Sequence, residues 1–184
     1  ERGYKVDISI VSHASLEKVW DRYKDLSYSF ETQSGALDIS NEEIIEVLHK
    51  VKRLSDVQSL IQDILGQKKA YRISKILEII LAGGIALKAS DIHLEPEEKE
   101  VRVRYRMDGV LNDVVEIDPE NYSKVLARIK INSGLKINIH HAPQDGRFTV
   151  NYLQKAIEIR TSVLPGAYGE NVVMRILDPE GIKQ

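Results

Sequence analysis

Arginine carries most of the chemical potential of this sequence. The segment VRVRYRMDG, 101–109, sets Arg102, Arg104 and Arg106 two residues apart. Alternate side chains of an extended strand share a face, so the three arginines form one row while Val101, Val103, Tyr105 and Met107 line the other, core face. Guanidinium groups bind carboxylate or phosphate through two parallel N–H bonds, which makes such a row a candidate anion site. Asp108-Gly109 reads as a two-residue hairpin turn requiring positive φ. Counting back from that turn puts Arg104 opposite Asp113, Arg106 opposite Leu111 and Arg102 opposite Val115. On that count one arginine of the three gains a cross-strand acid, and the row is either open to an outside anion or solvated over Leu111 and Val115. Arg147, Arg160 and Arg175 each alternate with apolar neighbours on later strand-like segments. They are placed either to extend the basic face or to serve singly as surface residues.

Other polar groups point to less. Asp91, His93 and Glu95 share one strand face, but a straight strand spreads its side chains, whereas a metal needs three or four converging ligands. Adjacent His140 and His141 face the same difficulty, so no metal site is expected. The sequence has no cysteine, which excludes disulfides, thiolate metal sites and a Cys nucleophile. The phosphate-loop pattern G-x-x-x-x-G-K-[ST], the G-x-G-x-x-G fingerprint and the G-x-S-x-G elbow do not occur. No self-contained catalytic apparatus is therefore expected.

The elements that must position these groups follow from periodicity. The 184 residues carry a net charge of −2, which argues against general polyanion binding while leaving room for a local basic patch. The longest apolar run, 79–87, falls well short of the ~20 residues that span a bilayer. The N-terminus, ERGYKVD, has neither an initiator Met nor the apolar stretch of a signal peptide, so a cytoplasmic location is expected. Residues 6–10 alternate like a strand, and Ser15 caps a short helix carrying Leu16, Val19, Trp20 and Tyr23. Residues 26–40 are polar and aperiodic, a linker by composition. Two amphipathic helices follow, with capping-box patterns at Ser40/Glu43 and Ser55/Gln58, the second stopping at Gly66. Ile73, Ile76, Leu77, Ile80 and Leu81 make a third helical stripe, weakened at its end by Gly83 and Gly84. Strands are expected at 91–95, 101–107 and 110–116. A helix opened by Asp118-Pro119 turns Tyr122, Val125, Leu126 and Ile129 inward and exits at Gly134. Strands at 147–152, 156–163 and 170–177 complete the order αβββαβββ, an α+β class with a largely antiparallel sheet and packed helices.

Four segments in order, SDIHLEP (90–96), VRYRMDGVL (103–111), PQDGRF (143–148) and IRTSVLPGAYGENVVMRILD (159–178), resemble the type II secretion and type IV pilus assembly ATPase family. The resemblance implies three parts: residues 1–25 as the end of a small N-terminal domain, 26–69 as a linker with two amphipathic helices, and 70–180 as the PAS-like α+β domain that precedes a RecA-like motor. It implies no catalysis by this stretch alone. Its role would be subunit packing and the coupling of ATP binding and hydrolysis to domain motion. For the full-length protein the resemblance implies ATP and Mg held mainly by the motor domain, a hexamer, inner-membrane secretion or pilus platform proteins as partners, and a cytoplasmic position peripheral to the inner membrane. It implies that Arg147 and Arg160, with Arg104 and Arg106, contact nucleotide phosphates or join the ionic network around them. Asp108-Gly109 and Asp145-Gly146 look like turn formers, and Arg175 a structural residue.

One departure stands out. Where the family commonly has an acid and two basic residues before PQDGR, this sequence has Ile139, His140 and His141, which predicts pH-sensitive assembly. The residues bear on two rival functions. A PAS-like small-ligand sensor needs a roomy core, which the apolar stripe of 70–87 and the Val/Tyr/Met strand face would fill. A nucleic-acid module needs aromatic and basic groups on one face, but Tyr105 points away from the arginines, so no nucleic-acid partner is expected.

Overall fold

A computed structural model describes residues 12–15, 36–38, 41–66, 72–152 and 155–177. The expected strand at 6–10, most of the helix begun at Ser15, and the Ser40 cap lie outside the described residues.

The chain order is β1 (Ala36–Asp38), α1 (Asn41–Lys50), α2 (Leu54–Leu65), α3 (Arg72–Ala86), β2 (Asp91–Pro96), β3 (Val101–Met107), β4 (Val110–Ile117), α4 (Pro119–Asn132), β5 (Gln144–Tyr152), β6 (Lys155–Pro165) and β7 (Glu170–Leu177). One seven-stranded sheet runs β1-β5-β6-β7-β2-β3-β4. Six strands pair antiparallel, and β1 lies parallel to β5 at its edge, Ala36 beside Thr149. The α+β class read from the sequence is the observed one. Its aperiodic 26–40 stretch is corrected in part, because Ala36–Asp38 extends the sheet. Three residues are too few to show a period of two.

Strand alternation sends Ile92, Leu94, Val103, Tyr105, Phe148, Val150, Ile159, Val172 and Met174 to one buried face, where they meet Ile76, Ile80 and Leu81 of α3 and Val125 and Ile129 of α4. Helices α1 and α2, expected in a linker, join this same core through Val47, Val57 and Ile61. Gly83 and Gly84 lie inside α3 rather than fraying its end. A Cβ at Gly83 would lie 2.8 Å from Val57 and 2.9 Å from the Tyr105 hydroxyl, so this glycine allows α2 and β3 to approach the helix. The Tyr105 hydroxyl donates to the Ile80 carbonyl, 2.6 Å.

Helix α2 starts at Leu54, not after Ser55. Its cap is the Asp56 carboxylate, which accepts from the backbone N–H of Arg53 and Lys52 at 2.9 and 2.8 Å. Helix α4 begins as expected: Asp118 accepts from the Asn121 backbone N–H at 2.9 Å and Pro119 occupies the first turn. The chain leaves it through Gly134 at φ 70°.

Candidate functional site: an arginine row across the sheet

With the described helices on the core face, the other sheet face carries the polar positions. Two groups of arginines occupy it, and their surroundings differ.

The first group is on β3. Asp108 and Gly109, at φ 51° and 78°, form the two-residue turn that sets the β3–β4 register. The register holds for Arg106 opposite Leu111 and Arg104 opposite Asp113, then shifts between Val103 and Arg104. Val114 is the extra residue of that bulge, so Arg102 faces Glu116 rather than Val115. Strand β2 supplies acids on the other side, with Glu95 opposite Arg102 and Asp91 opposite Arg106. The expectation of one paired arginine is thereby overturned. Arg102 pairs with Glu97 at 3.1 Å, Arg104 with Asp113 at 2.9 Å and Glu95 at 3.3 Å, and Arg106 with Asp91 at 3.3 Å. Arg106 Nη1 also donates to the Gly109 carbonyl, 3.3 Å. His93 is hydrogen-bonded to Glu95, 3.2 Å, which absorbs the polar row of β2 into the same ladder.

The second group spans three strands. Arg147 of β5 lies directly opposite Arg160 of β6, which lies opposite Arg175 of β7. All three are exposed, at 76%, 65% and 65% of the side chain. Arg160 Nε donates to Glu158 at 2.9 Å, and Arg175 Nε donates to Asp91 at 2.9 Å. Their terminal nitrogens have no hydrogen-bond partner among the described residues. Arg147 reaches Glu158 only at 3.9 Å. Like charges placed directly opposite across strands destabilise a sheet, so three consecutive guanidinium groups form a cationic strip that Glu158 and Asp91 neutralise only in part.

Local structure explains why Arg147 stands where it does. Asp145 and Gly146 do not make a turn, because β5 begins at Gln144 and runs through both. The side chain of Gln144 clamps the segment after α4: its oxygen accepts from Lys136 N–H at 3.0 Å, and its nitrogen donates to the Lys136 and Ile139 carbonyls at 3.0 and 3.1 Å. Asp145 accepts from the Ser162 hydroxyl. A Cβ on Gly146 would come within 2.3 Å of the Ser133 carbonyl oxygen, so glycine is needed for that approach. In PQDGR, Gln144, Asp145 and Gly146 are thus consumed by architecture, and Arg147 is left projecting from a fixed strand.

Asp91 is buried between Arg106 and Arg175, and also accepts from the Ser90 hydroxyl at 2.9 Å. Burial works to raise its pKa. The hydrogen bonds from Arg175 and Ser90 and the charges of Arg175 and Arg106 outweigh burial and hold the carboxyl below its usual range. The pairing of Asp91 with Arg175 and of Glu158 with Arg160 was not found from the sequence. The alternating arginines were the one available signal, and only the strand order turns them into a row.

His140 is bound within the chain. Its Nδ1 lies 2.8 Å from Glu170, whose other oxygen meets the buried Lys130 ammonium at 2.6 Å. Lys130 also donates to the Ile139 carbonyl, 2.8 Å, and the Tyr122 hydroxyl donates to the Glu170 carbonyl. Burial would raise the Glu170 pKa, but the Lys130 and His140 hydrogen bonds and charges hold it low. No described residues cluster as three or more metal-ligating side chains, and no described helix is long and apolar enough to cross a membrane.

Comparison with known proteins covers most of the chain. A family model described as type II/IV secretion system protein matches residues 66–184. The chain is 32% identical to a type II secretion system protein E of Klebsiella pneumoniae over 169 residues, 90% of this chain and 33% of that protein. It is 30% identical to the type IV pilus assembly ATPase PilB of Myxococcus xanthus over 187 residues, 98% of this chain and 31% of that one. Against a type II secretion system protein E of Pseudomonas aeruginosa it is 39% identical over 127 residues, 69% of this chain and 25% of the relative. The chain therefore spans about a third or less of the length of these relatives.

Proposed function

The chain belongs to the type II/IV secretion system protein family, and from that premise we propose that it is the non-catalytic N-terminal region of a hexameric ATPase powering type II protein secretion or type IV pilus assembly. In this reading residues 70–180 form a PAS-like coupling domain. A motor domain of the full-length protein binds ATP and magnesium, and the arginine row of one subunit reaches the phosphates held there. Inner-membrane platform proteins are the partners to which the motion is passed, from a cytoplasmic position beside that membrane.

The observation that carries the reading is the state of the guanidinium groups. Arg147 and Arg160 are mounted on adjacent strands of the sheet, and Arg160 is held by its Nε while its terminal nitrogens have no hydrogen-bond partner among the described residues. Pre-positioned donors aimed at developing phosphate charge need no reorganisation when the charge appears, which is why such arginines accelerate phosphoryl transfer. Tyr105, by contrast, is buried and hydrogen-bonded to α3, so it offers no stacking surface for nucleic acid.

Steady-state ATP hydrolysis by the full-length ATPase tests the reading. Arg147→Ala and Arg160→Ala should each lower turnover by about 10²-fold, the usual cost of removing one positioned donor. Unchanged turnover in both would remove the assignment.

A further inference from the structure

We propose that Arg175 is a third phosphate-binding arm of the row and that Asp91 is the positioning residue that aims it. The proposal rests on the reading that Arg147 and Arg160 meet phosphate. It adds Arg175, whose alternation with apolar neighbours leaves it either an extension of the basic face or a structural surface residue.

Three observations converge. The register places Arg175 next in line after Arg147 and Arg160. Neighbouring strands are about 4.8 Å apart, so the three side chains start from points spanning roughly 10 Å, suited to a phosphate chain rather than a single carboxylate. Arg175 is also held like Arg160: its Nε is fixed by a carboxylate and both terminal nitrogens are without a partner among the described residues. Arg106, on the far side of the same carboxylate, has a terminal nitrogen on the Gly109 carbonyl and is committed to the fold.

The carboxylate is built for holding. Asp91 is buried, one of its oxygens faces Arg175, and the other receives Ser90 and Arg106. It cannot swing toward one arginine without leaving the other. Within the row, four guanidinium groups (Arg147, Arg160, Arg175, Arg106) meet two carboxylates (Glu158, Asp91), which leaves a surplus of two positive charges. A ligand with at least two negative charges in line, such as a nucleoside polyphosphate, cancels that surplus and relieves the repulsion between facing arginines.

The test uses the full-length ATPase and reads KM for ATP, which an inactive or unfolded fraction leaves untouched. Arg175→Ala should raise KM about tenfold, as expected for one charge-assisted phosphate contact. Arg175→Lys should recover only part of this, since an ammonium lacks the anchored fork. Asp91→Asn, which keeps the shape, should raise KM by several-fold alone and add little in the Arg175→Ala background. If Arg147→Ala and Arg160→Ala cut turnover while Arg175→Ala leaves KM unchanged, the third arm is refuted and the two-arginine reading survives. If those two variants are silent, both fall. If the Asp91 and Arg175 effects simply add, Asp91 is not the positioning residue.

Discussion

Strand β3 and the β5–β7 row use the same side chain for opposite ends. The arginines of β3 spend terminal nitrogens on the chain itself: Arg102 on Glu97, Arg104 on Glu95, Arg106 on Gly109. In the row, Arg160 and Arg175 spend only Nε among the described residues, on Glu158 and Asp91. A guanidinium fastened at its tips closes a surface. One fastened at its neck is held in place and still has its fork to offer. The sequence pattern of arginines alternating with apolar residues is the same in both, so what separates them is the count of acids that the fold brings alongside.

The largest expected effect breaks the comparison directly. On the proposal that the full-length protein is an ATPase, Arg160→Ala should lower its ATP turnover about 10²-fold, whereas Arg104→Ala should change it less than threefold. Equal losses would mean that the two groups are not functionally distinct. Stability should show the reverse ordering. Arg104 is half-buried and pairs with both Glu95 and Asp113, so Arg104→Ala should cost about 1–2 kcal/mol in urea unfolding. Arg160→Ala should stay within about 0.5 kcal/mol, as exposed pairs usually do.

What was legible in the sequence explains why this contrast was not. Local pattern sufficed for the α+β class, the β3–β4 turn and the Asp118-Pro119 helix start. It also placed Arg106 opposite Leu111, because a two-residue turn fixes nearby pairs. It failed at Arg102, since nothing in NDVVE announces that Val114 bulges. It failed for Asp145-Gly146, whose sequence says turn while the close approach of the Ser133 carbonyl requires glycine within a strand. Above all it missed Asp91 beside Arg175, residues 84 apart that meet only because β2 inserts between β7 and β3. Strand order is set by how the whole core closes, and no local window contains it.

A smaller effect should separate the regions by pH. Asp91 has its pKa depressed in the folded chain, so it contributes stability above the ordinary carboxylate range, and that contribution is lost as pH falls through that range toward the folded value. Acid should therefore loosen the β2–β3–β7 junction, where Asp91 is the shared carboxylate. The check is unfolding free energy of the full-length protein between pH 7 and about pH 2. Asp91→Asn should be less stable at pH 7 and show a shallower acid slope. An unchanged slope would mean that Asp91 is not the acid-labile element of the ladder.

The smallest effect is the most specific to the row, because it has the opposite sign. Arg147 faces Arg160 directly, and its only acid partner among the described residues lies 3.9 Å away. Without a bound anion it contributes repulsion and little attraction, so Arg147→Gln should stabilise the protein by about 0.3 kcal/mol in low salt, following the penalty for like charges facing each other across strands. Salt screens exposed charges over about 10 Å at 0.1 M and 3 Å at 1 M, so the gain should vanish at high salt. A polyphosphate should reverse the order, stabilising the wild-type chain more than the variant by the linkage of binding to folding. A gain on removing Arg147 that persists in 1 M salt would locate its cause in packing and not in charge. No gain at all would show that the row is already neutralised from within, and the distinction drawn between it and β3 would disappear.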